Sequence, residues 1–172
     1  YRTLLADAFG AEAPLVAAHY PLDRYDGSIA LAYTAAVTDG VFACPIDVYA
    51  TGLARRRSPA VYAYEFSDRT APVPEPMRAL PFKVGAGHAL ELRYLFDIGG
   101  APALNPAQRV LADQMIAYWS RFVATGAPEV PGQPAWPALN PERPQRLSLQ
   151  TGEPVLTEDF AERHKCDFWA AR

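Results

Sequence analysis

The first third of the chain has the apolar spacing of a helical region. Apolar side chains recur there at steps of three and four residues, the period of one face of an α-helix. Gly10 follows the first run where a helix-terminating glycine belongs, and residues 41–45, which end in Pro45, separate the two later runs. We therefore predict helices over residues 1–9, 12–19, 28–39 and 46–56.

A change of pattern at residues 61–66 predicts a strand. This Val-Tyr-Ala-Tyr-Glu-Phe segment is rich in strand-forming side chains and almost continuously apolar, which is typical of a strand covered on both faces. Residues 67–88 follow as a long proline-containing loop with His88 at its end. Loops of this length that lack their own secondary structure are usually functional.

The clearest helix covers residues 106–125. Asn105 is a suitable N-cap, Pro106 suits the first helical position, Gln108 completes a capping-box pattern, and Gly126 closes the other end. An apolar stripe predicts a face packed on a core, with Leu111, Met115, Tyr118, Trp119 and Phe122 as its members. Two further elements are predicted, a strand over residues 146–149 and a helix over residues 158–170.

Composition and charge exclude some classes of function. The 172 residues suffice for one domain with a core, and a net charge of −3 offers no basic surface for nucleic acid. No stretch has the roughly 18 consecutive apolar residues of a membrane span. The start at Tyr1, without an initiator methionine or a signal segment, indicates a piece of a longer gene product.

The two cysteines are far apart in the sequence. Cys44 and Cys166 do not have the paired spacing of a zinc site, and no other metal or cofactor motif is present. They are either one disulfide or two buried thiols, and the residues by themselves favour neither.

Candidate catalytic chemistry centres on His88. It lies in the glycine-rich segment Gly-Ala-Gly-His over residues 85–88, whereas His19 and His164 fall in predicted helices and are interpreted as structural. A histidine acts as general base when a serine or cysteine lies within reach and a carboxylate orients its ring. None of the serines has the small neighbours of a G-x-S-x-G nucleophile turn: Ser28, Ser58, Ser67, Ser120 and Ser148.

Six segments in order resemble the C-terminal third of type-B carboxylesterases, the family of the cholinesterases and the bacterial para-nitrobenzyl esterases. They are Phe-Ala-Cys-Pro at 42–45, Val-Tyr-Ala-Tyr-Glu-Phe at 61–66, Gly-His-Ala-Leu-Glu-Leu-Arg-Tyr-Leu-Phe at 87–96, Tyr-Trp-Ser-Arg-Phe-Val-Ala-Thr-Gly-Ala-Pro at 118–128, Trp-Pro at 136–137 and Cys-Asp-Phe-Trp at 166–169. The resemblance implies that residues 1–172 are the C-terminal segment of a single α/β-hydrolase domain, incomplete without its N-terminal portion.

The resemblance also implies roles for residues. His88 falls on the family's catalytic histidine, so it is expected to be the general base of a Ser-His-Glu triad that hydrolyses carboxylic esters through an acyl-enzyme. Serine, glutamate and the oxyanion hole are expected in the N-terminal portion of the same esterase, the predicted partner of this segment. Leu90 is the one residue expected to line the substrate pocket. Glu91 is expected to hold the local loop and not to act as triad acid.

In the cholinesterase branch a disulfide occurs at the positions of Cys44 and Cys166. The resemblance therefore implies that these residues are bridged, in a secreted or periplasmic protein. A strong excess of arginine over lysine is typical of a high-GC bacterial gene.

An alternative function is a non-catalytic binding or adhesion module of the cholinesterase-like kind, in which the fold persists without a working triad. The presence of His88 argues against this alternative.

Overall fold

The computed structural model describes residues 1–56, 59–96, 98 and 100–172 and divides the chain into two compact units. Unit 1 consists of Tyr1–Tyr49 together with Asp159–Arg172, and unit 2 of Ala50–Glu158. The α-helices are α1 (Arg2–Phe9), α2 (Ala13–His19), α3 (Ile29–Val37), α4 (Cys44–Ala54), α5 (Glu75–Arg78), α6 (Leu92–Leu95), α7 (Pro106–Thr125), α8 (Phe160–Arg163) and α9 (Cys166–Ala170). The strands are β1 (Tyr64–Phe66), β2 (Arg146–Leu149) and β3 (Val155–Thr157).

The predicted break between the helices over 28–39 and 46–56 is wrong. Ser28 caps α3, and a π-helical segment, Thr38–Ala43, then joins α3 directly to α4. Pro45 does not interrupt the run, because it stands in the first turn of α4, where a missing N–H is tolerated. Single wider turns of this kind occur mostly as bulges inside α-helices.

The predicted final helix over 158–170 is two short helices. Lys165 has a left-handed backbone (φ 54°) that ends the α8 region and starts α9. This turn separates His164, which contacts Asp39 of the π-helical segment, from Cys166, which is bonded to Cys44 at the start of α4. Tertiary contacts have replaced a continuous helix here.

A buried aspartate connects distant parts of unit 1. The Tyr20 hydroxyl donates to Asp39 Oδ2 at 2.8 Å, and Asp39 Oδ1 lies 2.6 Å from His164 Nδ1. The Trp169 indole N–H donates to the Tyr20 oxygen at 2.7 Å. Four side chains that are scattered along the sequence are thus fixed by three hydrogen bonds around Asp39, which is itself buried.

The disulfide implied by the resemblance is present between Cys44 and Cys166. It joins the start of α4 to the start of α9, and the two residues are 122 positions apart in the sequence. A cross-link over a loop of this length stabilises by about 4 to 5 kcal/mol when the entropy of the unfolded chain is the main term.

No membrane span was expected from the sequence, yet among the described residues one helical run has the required length and hydropathy. Ile29–Ala54 comprises 26 residues and passes on these two criteria alone. Core helices of soluble proteins pass the same criteria. The run includes Asp39, whose carboxylate is engaged by Tyr20 and His164 as described above.

Unit 2 contains the sheet, in the order β1-β2-β3. Tyr64, Glu65 and Phe66 pair in parallel with Leu147, Ser148 and Leu149, and β2 pairs antiparallel with β3. Helix α7 contributes to the core that includes β2, and its predicted capping box and left-handed terminal Gly126 are both confirmed. The fully buried side chains of this core are Tyr94, Leu111, Met115, Tyr118, Leu147 and Leu149.

The predicted strand over 61–66 is only half a strand, and within this chain it is not covered on both faces. The carbonyl of Val61 accepts from Leu139, and that of Ala63 accepts from both Leu147 and the Trp136 indole. Residues 61–63 therefore bind an irregular segment as well as the sheet. Tyr64, the first strand residue, is 39% exposed.

Gly40 is expected to tolerate no side chain. A Cβ at this position would lie 2.7 to 2.9 Å from three ring atoms of Trp169, and an indole ring cannot bend away. Gly40→Ala should lower the free energy of unfolding by about 1 to 3 kcal/mol, the usual range for overpacking. Urea denaturation measures this loss.

Gly52→Ala is the matched control for that substitution. Gly52 lies inside α4, and an added Cβ would meet nothing within 4 Å. Alanine should therefore be neutral or stabilise by about 0.5 to 1 kcal/mol. Equal effects of the two substitutions would contradict the packing of Trp169 on Gly40.

Candidate active site

His88 opens a tight turn immediately before α6. The preceding segment, residues 67–88, was predicted to be a loop without secondary structure of its own. This prediction is partly wrong, because the segment contains the one-turn helix α5. The side chain of His88 is exposed, and its ring makes no hydrogen bond to any residue that the structure describes. Since none of the described residues binds them, both ring nitrogens of His88 are available to groups from outside this chain.

The residues around His88 fix its backbone. The N–H of Leu90 donates to the carbonyl of Gly87 at 3.2 Å, and the Leu90 side chain is buried in the core of unit 2. Gly87 leaves no room for a side chain, since a Cβ there would lie 2.8 Å from Val84 Cγ1. The turn is therefore anchored from both sides while the imidazole stays exposed.

Ala89 has the left-handed conformation that normally favours glycine. Its φ is 66°, one of three positive values among the described non-glycine residues. An L-residue in this region costs roughly 1 kcal/mol or more. The turn that presents the histidine is thus held in a strained conformation.

A buried carboxylate that the sequence analysis missed lies in the loop after β1. Asp68 Oδ1 accepts from the Thr70 N–H (2.9 Å) and hydroxyl (2.7 Å), while Oδ2 accepts from the Tyr94 hydroxyl and from Gln108 Nε2 (3.2 Å). The residue is 2% exposed. One carboxylate therefore joins the end of β1, helix α6 and the first turn of α7.

Burial of Asp68 taken alone would raise the pKa of its carboxyl group. The hydrogen bonds from Tyr94, Thr70 and Gln108 outweigh that effect, so the pKa lies below its ordinary value of 3.8. The same arrangement raises the pKa of Tyr94, first through burial and then through its bond to Asp68. Asp68 is thus held as a charged acceptor.

The other serines and histidines considered from the sequence show no catalytic arrangement where the structure describes them. Ser28 accepts from the Leu31 N–H as a helix cap, whereas Ser58 lies outside the described residues. His19 ends α2 with its ring 3.8 Å from that of Phe168. His164 was predicted to be a helix residue, and this is wrong. It lies between α8 and α9, where it contacts Asp39.

Leu90 and Glu91 share the turn with His88. Leu90 is 7% exposed and packs in the core, so its contact with a substrate stays a prediction. Glu91 acts on Tyr64, whose pKa is raised first by burial and then by the charge of Glu91. The described residues include no cluster of His, Cys, Asp or Glu that could hold a metal ion.

The sequence is similar to a known protein family over most of its length. The model of the carboxylesterase family matches residues 16–169. The chain therefore belongs to the carboxylesterase family.

Individual relatives agree with this assignment. The chain is 36% identical over 96 residues to bile salt-activated lipase of Homo sapiens, a match that covers 54% of this chain and 12% of that protein. It is 29% identical over 167 residues to carboxylesterase 5A of Felis catus, which covers 90% of this chain and 29% of the relative. The chain thus spans less than a third of either protein.

The fold has a counterpart among solved structures. EstA of Aspergillus niger superposes with a TM-score of 0.69 and 23% identity, covering 93% of this chain and 32% of EstA. The chain accordingly has the architecture of part of an α/β-hydrolase fold, as the sequence analysis expected. Its assignment to a single domain stays a prediction, as does a bacterial origin, since these relatives come from mammals and a fungus.

Ala89→Gly is expected to stabilise the turn. Glycine adopts a φ of 66° without steric cost, so the free energy of unfolding should stay unchanged or rise by up to about 1 kcal/mol. The control is Ala86→Gly, in the same loop at a residue without positive φ, which should lower it by about 0.5 to 1 kcal/mol. Thermal unfolding compares the two, and an equal loss in both would refute strain at Ala89.

Asp68→Asn is expected to change how stability depends on pH. A carboxyl whose folded pKa is lowered contributes stability that is present above its unfolded pKa, near 3.8, and lost as pH falls through the lower folded value. At neutral pH the variant should be less stable by about 1 to 3 kcal/mol. This gap should narrow below about pH 4.

Urea unfolding between pH 3 and pH 7 measures the Asp68 effect. Asp113→Asn, which removes an exposed carboxylate from α7, controls for the loss of one negative charge. A gap between native protein and Asp68→Asn that is independent of pH would contradict the charged state assigned to Asp68.

Proposed function

We propose that this chain is the histidine-bearing portion of a carboxylic ester hydrolase. The observation that carries the proposal is the exposed, uncommitted imidazole of His88 on an anchored turn, in a chain of the carboxylesterase family. Its relatives, a lipase and a carboxylesterase, support esters as the substrate class.

In the proposed reaction, one nitrogen of His88 accepts the proton of a serine hydroxyl while the serine oxygen attacks the ester carbonyl. The protonated imidazole then donates this proton to the departing alcohol, which leaves an acyl-enzyme. Water then repeats the sequence: His88 takes a proton from water while the water oxygen attacks the acyl carbonyl. The protonated imidazole returns this proton to the serine oxygen, and the acyl group leaves as the acid. No metal or cofactor takes part.

The groups that complete this reaction are proposed to lie in the N-terminal portion of the same enzyme. A serine nucleophile, a glutamate on the second imidazole nitrogen and an oxyanion hole are required. The two carboxylates buried in the described residues do not supply the glutamate's role. Asp39 and Asp68 already accept hydrogen bonds from other side chains, and none of these bonds comes from His88.

We also propose a secreted or periplasmic location. The disulfide between Cys44 and Cys166 supports this, because such bonds persist in oxidising compartments.

His88→Ala in the complete enzyme should lower kcat on a p-nitrophenyl ester by about 10^4-fold while KM changes little, because the general base acts in the transition state. His19→Ala is the matched control, since it removes an imidazole of structural role, and kcat should stay within about twofold. Steady-state kinetics gives both constants. Substantial ester hydrolysis by His88→Ala would sink the proposal. Absence of ester hydrolysis by the complete native protein would favour a binding or adhesion module.

A further inference from the structure

The position of His88 depends on the helix that follows it. The described residues give the imidazole no hydrogen bond, so its placement is set by the turn that carries it. That turn continues into α6, where the Leu92 N–H donates to the carbonyl of Ala89 at 3.3 Å and the Tyr94 N–H to that of Glu91 at 2.9 Å. Any shift of α6 is therefore transmitted to His88.

Helix α6 is too short to hold its own position. It has four residues, fewer than an isolated helix needs for stability, so tertiary contacts must place it. Tyr94 supplies these contacts. Its ring packs against Phe66 of β1 with ring centres 5.1 Å apart, and its hydroxyl donates to Asp68, while the residue as a whole is 1% exposed.

Asp68 is itself held by two elements other than α6. It follows β1 by two residues, and its carboxylate accepts from Gln108, which belongs to the capping box of α7. Gln108 Nε2 also donates to the carbonyl of Thr70 at 2.9 Å, which closes the loop onto the helix. The Tyr94 hydroxyl therefore binds an oxygen whose place is set by both the sheet and α7.

We propose that Asp68 and Tyr94 are positioning residues for His88, which hold the imidazole where its proton-transfer partners meet it. The proposal rests on the proposed function, because it concerns the same histidine. Proton transfer requires hydrogen-bond geometry, and a misplacement of about 1 Å can cost a hundredfold in rate. Neither residue touches the reacting atoms in this scheme.

Tyr94→Phe in the complete enzyme is the direct test. It keeps the ring packing on Phe66 and removes only the hydroxyl that reaches Asp68. With p-nitrophenyl butyrate as probe, kcat should fall about tenfold while KM stays within about twofold, because positioning of the base affects the reaction more than substrate binding. Asp68→Asn should lower kcat at least as much.

Tyr118→Phe is the matched control. It also removes one hydroxyl from a tyrosine in the same core, but that hydroxyl donates to the carbonyl of Pro134 at 2.7 Å and has no bond to Asp68. It should cost comparable thermal stability and leave kcat within about twofold. A general loosening of the core would lower kcat in both tyrosine variants.

The outcomes separate the two proposals. Unchanged kcat in Tyr94→Phe, or equal losses in Tyr94→Phe and Tyr118→Phe, overturns the positioning role. If Tyr94→Phe is fully active while His88→Ala is inactive, the proposed function stands without it. If His88→Ala is active, both proposals fall. Tyr94→Phe decides the matter even where Asp68→Asn does not fold.

Discussion

The hydrogen bonds to Asp68 are the interaction on which the geometry of unit 2 depends. A buried carboxylate is costly unless donors surround it, and here the donors come from three different segments. Tyr94 reaches it from α6, Gln108 from α7, and Thr70 from the loop itself. Few arrangements of these three segments allow all of them to donate to Asp68 at the same time. The hydrogen bonds to the carboxylate therefore favour one arrangement.

Unit 1 also has a buried aspartate that binds side chains from distant parts of the sequence. A buried aspartate, Asp39, receives a tyrosine hydroxyl and stands beside a second polar side chain that is remote in the sequence. In both units a buried carboxyl group connects segments that are remote in the sequence. Apolar packing is not directional, whereas each of these hydrogen bonds specifies a distance and an angle.

Elements whose signals are local could be predicted from the sequence. Helix α7 carries its own capping box and terminal glycine, and both were recognisable. Its predicted apolar stripe was right for Leu111, Met115 and Tyr118, which are buried, but wrong for Phe122, which is 45% exposed. The π-helical junction at 38–43 could not be recognised, because its contacts come from Trp169 and His164 near the other end of the chain. The break at Lys165 could not be recognised either, because the residues on its two sides bind Asp39 and Cys44, which are far away in the sequence. Helix α6 and β3 are too short to show a period.

The residues of the candidate site also differ in whether they could be predicted from the sequence. His88 was found through the order of family-like segments, a signal that periodicity does not contain. Asp68 was missed because an acidic residue just after a strand, followed by Arg-Thr, is typical of a solvated turn. Its one available signal was its position at the carboxyl end of a strand, where the side chains of neighbouring elements converge in α/β folds.

The bond between Cys44 and Cys166 has a topological consequence. It encloses residues 45–165, and with them all of unit 2, in a single covalent ring. A protease that cuts the ring once opens it without releasing either piece, since the sulfur bridge still joins both. An exposed loop in this interval can therefore be nicked while the chain keeps its mass and its ends stay tethered. Two cuts, or one cut and a reductant, are needed before anything diffuses away.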